Sequence, residues 1–336
     1  MSGLWLYTAA LIIAGATAAL ATPLIFKLAT HVGMLDVTDE RRVHELPTPR
    51  IGGMAVYLGF SFALFSVLGF ALERAGFFHE IDDIHKLLGL LFGGTLILGV
   101  GLWDDIMTMQ PRNKFLAQIV VASISMLYGF VIPFINNPLT GAPMYIPYYF
   151  GIPLTLLWYL GMMNAINFID GLDGLLAGVT AISGLFLFSI ALLHHHSVVA
   201  LVVVSLAGAA LGFLPYNFNP ARIFLGDSGS LFIGYVFATV SIIGVSKVAI
   251  SISLLVPLLV LALPILDTAA AIFRRAWSGR RITEADRGHF HHQLIFRYGL
   301  NVRQAVLLIY AVCFILGAVA VILSGGLHGF TKLAGL

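Results

Sequence analysis

Charge is scarce in this chain. Lys, Arg, Asp and Glu make up 10% of its 336 residues, against about 25% in soluble domains. With 59% hydrophobic residues and a mean hydropathy of +0.97, that scarcity excludes a soluble core and implies an integral membrane protein. Cysteine is almost absent: Cys313 stands alone in an apolar run, which excludes an intrachain disulfide and reads as a small buried residue. No basic residue precedes the first apolar stretch, Lys27 being the first, so a retained span is expected there rather than a cleaved signal peptide. Internal repeats, low-complexity tracts and long linkers are also missing, so residues 1–336 read as a single polytopic membrane domain.

A span needs about 20 mostly apolar residues. Ten candidates satisfy this: 4–28, 51–72, 87–104, 116–135, 150–165, 175–193, 198–215, 229–246, 250–273 and 304–324. Pro257 and Pro264 predict that the ninth is kinked or broken, with Asp267 just beyond. Ten spans put both termini on one side. Of the 18 lysines and arginines, only Arg74, Lys86, Lys247 and Lys332 then fall in loops on that side. Basic loops stay cytoplasmic, so both termini are expected outside. The acids follow the basic residues: all but Glu73, Glu80, Asp82 and Asp83 lie at the cytoplasmic side, many at span ends. The positive-inside rule does not demand this, and acids at a membrane boundary are costly and usually functional.

Five clusters carry the chemistry. In GLWDD (101–105), Asp104 and Asp105 end a span, where adjacent carboxylates repel and need a cation or a proton. In NAINFIDGLDGLLAG (164–178), Asn164, Asn167, Asp170 and Asp173 step by three, so neighbours share a helix face. Gly171 and Gly174 allow the helix to break and the backbone to approach a ligand. An N-cap role explains Asp173 alone but not four polar residues. In YNFNPARIFLGDSGSLFIG (216–234), Asp227 directly precedes a span and Phe224 is available to stack on a flat ring; capping and core packing are the plainer roles. The last cytoplasmic loop, 274–300, gathers six arginines with His289, His291 and His292; guanidinium forks suit phosphate oxygens, and anionic lipid is the other candidate partner. Residues 39–56 form a Pro- and Gly-marked loop carrying Arg41, Arg42, His44 and Arg50. Carboxylates, arginines and histidines on one face describe a site for a metal and phosphates, since Mg²⁺ takes one or two carboxylates and bridges substrate phosphates. At a membrane surface, one substrate is then a lipid.

The stretches GLWDD, NAINFIDGLDGLLAG and FLGDSGSLFIG resemble the motifs of the polyprenyl-phosphate N-acetylhexosamine-1-phosphate transferases, over residues 36 to 300. PTPRIGG (47–53) and HFHHQL (289–294) are more similar to the GlcNAc-1-phosphate branch than to the MurNAc-pentapeptide branch, which carries TPTMGG, an upstream lysine and three consecutive histidines. The resemblance implies an all-α bundle of about ten helices, Mg²⁺ with Mn²⁺ able to replace it, UDP-GlcNAc, undecaprenyl phosphate, and a homodimer. It implies a bacterial inner-membrane enzyme, its site built from cytoplasmic loops, that starts a surface polysaccharide such as lipopolysaccharide or a teichoic acid linkage. No nucleic acid is expected among its partners.

Carried over by motif, Asp104 and Asp105 are the catalytic pair, and Asp227, with Asp105, binds the metal. Asn167, Asp170, Asp173, Asn217 and Phe224 form the nucleotide pocket. His289, His291, His292, Arg287 and His44 contact the diphosphate and sugar. The same reaction with UDP-MurNAc-pentapeptide or another UDP-N-acetylhexosamine is the alternative. A proton-coupled transporter and an intramembrane aspartyl protease are the rivals of a different class.

Overall fold

A computed structural model describes residues 4–32, 35–36, 48–72, 81–136, 143–247, 262, 266, 270 and 290–325. Ten helices occupy most of them. They are α1 (Leu4–Val32), α2 (Gly53–Leu72), α3 (Ile81–Met107), α4 (Pro111–Leu127) and α5 (Tyr148–Ile169). Then come α6 (Leu175–Leu193), α7 (Ser197–Asn217), α8 (Gly226–Lys247), α9 (Phe290–Phe296) and α10 (Val302–Leu323). Strands appear only as two short antiparallel pairs among the described residues, Leu35–Asp36 with Thr48–Pro49 and Phe134–Asn136 with Pro143–Tyr145. A chain without water around its backbone must satisfy its amides internally, and helices do so.

Seven helices among the described residues are long and apolar enough to cross a membrane. The chain is therefore a multi-span helical membrane protein. Every expected span but the ninth falls on a helix; 250–273, with Asp267, lies largely outside the described residues, where Ala262, Leu266 and Ala270 alone are described and helical. Two boundaries differ informatively. The fifth span runs on to Ile169, past the point where its polar residues had ended the apolar window, because those side chains are bonded inside the bundle rather than to water. The fourth is shorter than the apolar run: Pro111 opens α4 at its first turn, and the chain leaves it at Tyr128, before Gly129 at φ +85°.

α7 and α8 are buried almost all round, with α1, α2, α3, α5 and α6 packed against one or both. α1 packs on α7 and α2, α6 on α7 and α10, and α3 and α5 on α8. The α1–α7 contact uses Ala14, Gly15, Gly208 and Gly212, whose small size lets the backbones approach, the usual device where lipid removes the hydrophobic drive between helices. Cys313 is fully buried on α10.

Candidate active site at the helix ends

The C-terminal ends of α3, α5 and α7 meet the N-terminal ends of α4, α6, α8 and α10, and the polar motifs gather there. The adjacent acids of α3 part company. Asp105 turns to the start of α8, where its Oδ1 accepts from the Asp227 N–H at 2.7 Å and its Oδ2 from the Ser228 N–H at 2.9 Å. It thus satisfies two of the orphan donors at a helix start, as an N-cap supplied by another helix. Gly226 makes this possible. Its φ is +74°, and a Cβ there would lie 1.8 Å from the Arg50 carbonyl oxygen and 2.7 Å from Asp105 Oδ2.

Asp104 turns the other way. Its Oδ1 accepts from the Met109 N–H at 2.6 Å, and its Oδ2 lies 2.9 Å from Lys114 Nζ. The same ammonium is 2.6 Å from Asp227 Oδ2. Asp227 Oδ1 accepts from Asn167 Nδ2, which also reaches Ser230 Oγ at 2.7 Å. Asn164, one turn earlier on the same face of α5, donates to Gln118 Oε1 of α4 at 2.8 Å. Asn164 and Asn167 therefore share a face, as their spacing predicts, and the helix breaks before Asp170.

Asp170 occupies the C-cap position of α5. Although the residue is only partly buried, burial of its carboxyl pushes it up to about 8, aided by the charges of Asp227, Asp105 and Asp173 and opposed by Arg50. Asp173 is 4% exposed, and its Oδ2 accepts from Asn219 Nδ2 and the Ala221 N–H, both at 3.0 Å. The expected N-cap of α6 is instead Gly174, at φ +79° with no side-chain cap. Asn217 ties the same two loops: its Oδ1 accepts from the Gly174 N–H at 3.1 Å, and its Nδ2 donates to the Ile223 carbonyl at 2.9 Å.

The last helix closes over this knot, with Tyr310 donating to the Gly174 carbonyl and Arg303 Nε donating to the Asn219 carbonyl at 2.9 Å. Phe224 is partly exposed in a segment paired to the PTPRIGG stretch, its N–H donating to the Pro49 carbonyl at 2.8 Å and its carbonyl accepting from the Gly52 N–H at 2.9 Å.

The structure thus brings Asp104, Asp105, Asn167, Asp170 and Asp227 together, with Asp173 and Asn217 as the buried ties of the adjoining loops. His44, Arg287 and His289 lie outside the described residues. His291 and His292 begin α9, just before α10, and their side chains are not described. Sequence reasoning missed Lys114, Gln118, Arg303 and Tyr310. For Lys114 a signal existed: a lysine in the first turns of a helix that follows an acid pair after a three-residue turn.

Among the described residues no three His, Cys, Asp or Glu side chains gather into a ready metal cage. Mg²⁺ needs no such cage, keeping waters and using one or two carboxylates with substrate phosphates. Asp104 and Asp227 meet that requirement, since their Oδ2 atoms already hold one cation, the Lys114 ammonium, between them. Asp105, expected to bind metal as well, has both oxygens engaged by backbone N–H groups.

Comparison with known proteins identifies the family. The model of "Glycosyl transferase family 4" matches residues 87–245, from α3 to α8. A Bacillus subtilis protein named "Probable undecaprenyl-phosphate N-acetylglucosaminyl 1-phosphate transferase" is 35% identical over 318 residues, covering 94% of this chain and 84% of its own. A "Decaprenyl-phosphate N-acetylglucosaminephosphotransferase" of Mycobacterium tuberculosis is 36% identical over 324 residues, 89% of this chain and 79% of that one. An "Undecaprenyl-phosphate alpha-N-acetylglucosaminyl 1-phosphate transferase" of Escherichia coli K12 is 27% identical over 300 residues, 88% of this chain and 78% of that one. With a third of its residues shared across nearly its whole length, and with the acids of α3, α5 and α8 joined in one site, the chain belongs to glycosyl transferase family 4 and is a membrane-embedded transferase.

Proposed function

We propose that this enzyme transfers N-acetylglucosamine 1-phosphate from UDP-GlcNAc to undecaprenyl phosphate, yielding undecaprenyl-diphosphate-GlcNAc and UMP, with Mg²⁺ held by Asp104 and Asp227. The names of its relatives support the polyprenyl-phosphate acceptor and the GlcNAc-phosphate group. The observation that carries the reading is the pair of carboxylates from α3 and α8 facing each other across one cation position at the helix ends.

An oxygen of the lipid phosphate attacks the phosphorus that bears the sugar; the bond from that phosphorus to the bridging oxygen breaks, and UMP leaves with the bridging oxygen. Bound Mg²⁺ supplies charge neutralisation for the phosphate oxygens in this transfer. The chain's own part is positioning. Asn167 and the Met109 N–H orient Asp227 and Asp104, while Asp105 fixes the start of α8. A phosphomonoester has a second pKa near 6, so the acceptor is already mostly a dianion at pH 7 and a general base has little to remove. Asp104 as base, or as nucleophile in a two-step scheme, is the other reading; a phosphosugar-enzyme adduct trapped with UDP-GlcNAc alone would establish the two-step route.

The experiment is direct. Purified protein is incubated with undecaprenyl phosphate and a panel of UDP-sugars, and UMP is measured. UMP formed with UDP-GlcNAc, dependent on both lipid and Mg²⁺, is the expected result. UMP formed only with UDP-MurNAc-pentapeptide would move the chain to the other branch, and none with any UDP-sugar would refute the reading.

A further inference from the structure

Each acid of the facing pair has one oxygen held by an uncharged donor and the other by the Lys114 ammonium. Asp104 Oδ1 is held by the Met109 N–H and Asp227 Oδ1 by Asn167. The two remaining oxygens, both Oδ2, are the ones open to a cation, and both point at Lys114 Nζ, at 2.9 and 2.6 Å. The lysine enters from the first turns of α4, and its side chain is 16% exposed. An ammonium on a flexible four-carbon stem is a movable point charge, unlike a guanidinium fork. A Mg²⁺ ion binds oxygens at about 2.0–2.1 Å, so its entry at this point needs each carboxylate to move by less than about an ångström, provided that the ammonium withdraws.

We propose that Lys114 is a built-in placeholder for the divalent ion: its ammonium joins Asp104 to Asp227 in the metal-free enzyme, yields the two Oδ2 atoms when the ion arrives, and turns to the diphosphate oxygens of the nucleotide sugar. The inference rests on the Mg²⁺ reading above. It keeps two carboxylates from facing each other uncompensated between turnovers. It also couples the two ligands. Without nucleotide, the ion must displace an ammonium that has nowhere equally good to go; with nucleotide bound, the displaced ammonium gains phosphate partners. Metal and nucleotide then bind cooperatively, and by linkage each tightens the other equally.

The test is Mn²⁺ binding to the full-length protein in detergent, followed by electron paramagnetic resonance with and without UDP-GlcNAc and with no lipid acceptor. Lys114→Met is expected to bind Mn²⁺ about tenfold more tightly than the wild type when nucleotide is absent, the size of a typical coupling between sites. UDP-GlcNAc is expected to tighten Mn²⁺ binding in both, because its diphosphate supplies oxygens to the ion, but by about tenfold more in the wild type, where the displaced ammonium also gains phosphate partners. A variant that binds Mn²⁺ no more tightly than a competent wild type overturns the placeholder alone. A wild type that binds no Mn²⁺ even with UDP-GlcNAc removes the metal reading and the placeholder with it. Should Lys114→Met not fold, the wild type itself decides. Acetylation of Lys114, read by peptide mass spectrometry, is expected to rise when Mn²⁺ is added and to fall when UDP-GlcNAc follows; labelling that Mn²⁺ leaves unchanged overturns the proposal.

Discussion

Asp104 and Asp105 are neighbours in sequence with different work, and substitution should separate them. Asp227→Asn is expected to lower UMP release at least about a hundredfold, because it removes charge where phosphate charge develops. Asp105→Ala should act first on the fold, since it strips the cap from α8; a loss of about 1–2 kcal/mol, read by thermal unfolding in detergent, is expected. Mn²⁺ affinity in the folded fraction of that variant should stay near the wild-type value, which an Asp105 ligand would not allow. Asp170 gives a pH signature. Its carboxyl is raised to about 8 in the folded protein, so between the ordinary carboxylate range and pH 8 the folded state holds a proton that the unfolded state has lost. Metal-free protein should therefore lose stability as pH rises from 5 to 8, and Asp170→Asn should flatten that slope. A wild-type profile no steeper than that of the variant would contradict the assignment. None of this division was legible in the sequence, where the acid pair reads as one motif; which carboxylate caps and which faces Lys114 follows from α8 packing on α3 while α4 brings Lys114 from the other side of the turn.

At the scale of elements, α10 has a role that its apolar sequence does not announce. It packs on α6, and from it Arg303 and Tyr310 reach the loops that Asp173 and Asn217 tie together. Removing the Tyr310 hydroxyl with Tyr310→Phe, or the guanidinium with Arg303→Ala, should loosen those loops without touching Asp104 or Asp227. The expected effect is a rise of about three- to tenfold in KM for UDP-GlcNAc with kcat changed by less, the pattern of lost uniform binding. An equal fall in kcat with unchanged KM would place the residues in the chemistry instead.

The helices themselves were legible wherever an apolar window ran to span length, as in α1, α6, α7 and α8. The break after Ile169 was legible from Gly171 and Gly174. The length of α5 was not, because a hydropathy window counts Asn164 and Asn167 as exits from the membrane, whereas Gln118, Asp227 and Ser230 satisfy them inside the bundle. Ties such as Arg303 to Asn219 join residues far apart in the chain, and no local pattern encodes them.

For the whole molecule, the proposed function depends on which way the bundle faces. The described helices put the site acids at one end: α3, α5 and α7 arrive there and α4, α6 and α8 depart. The basic residues bias the same end toward the cytoplasm, with Arg112 and Lys114 at the start of α4 and Arg222 before α8, while the turn from α6 to α7 carries only His194, His195 and His196. The proposed donor, a nucleotide sugar, is a cytoplasmic compound, so the proposed reaction requires the site end to face inward. The single cysteine makes this measurable. Cys313 is buried on α10, and Cys313→Ala provides a silent background for single exposed cysteines. A membrane-impermeant maleimide applied to intact cells should label His195→Cys at once, and Arg112→Cys only after the membrane is opened. The reverse pattern would turn the bundle over and would separate the acids from any cytoplasmic nucleotide, whatever their geometry.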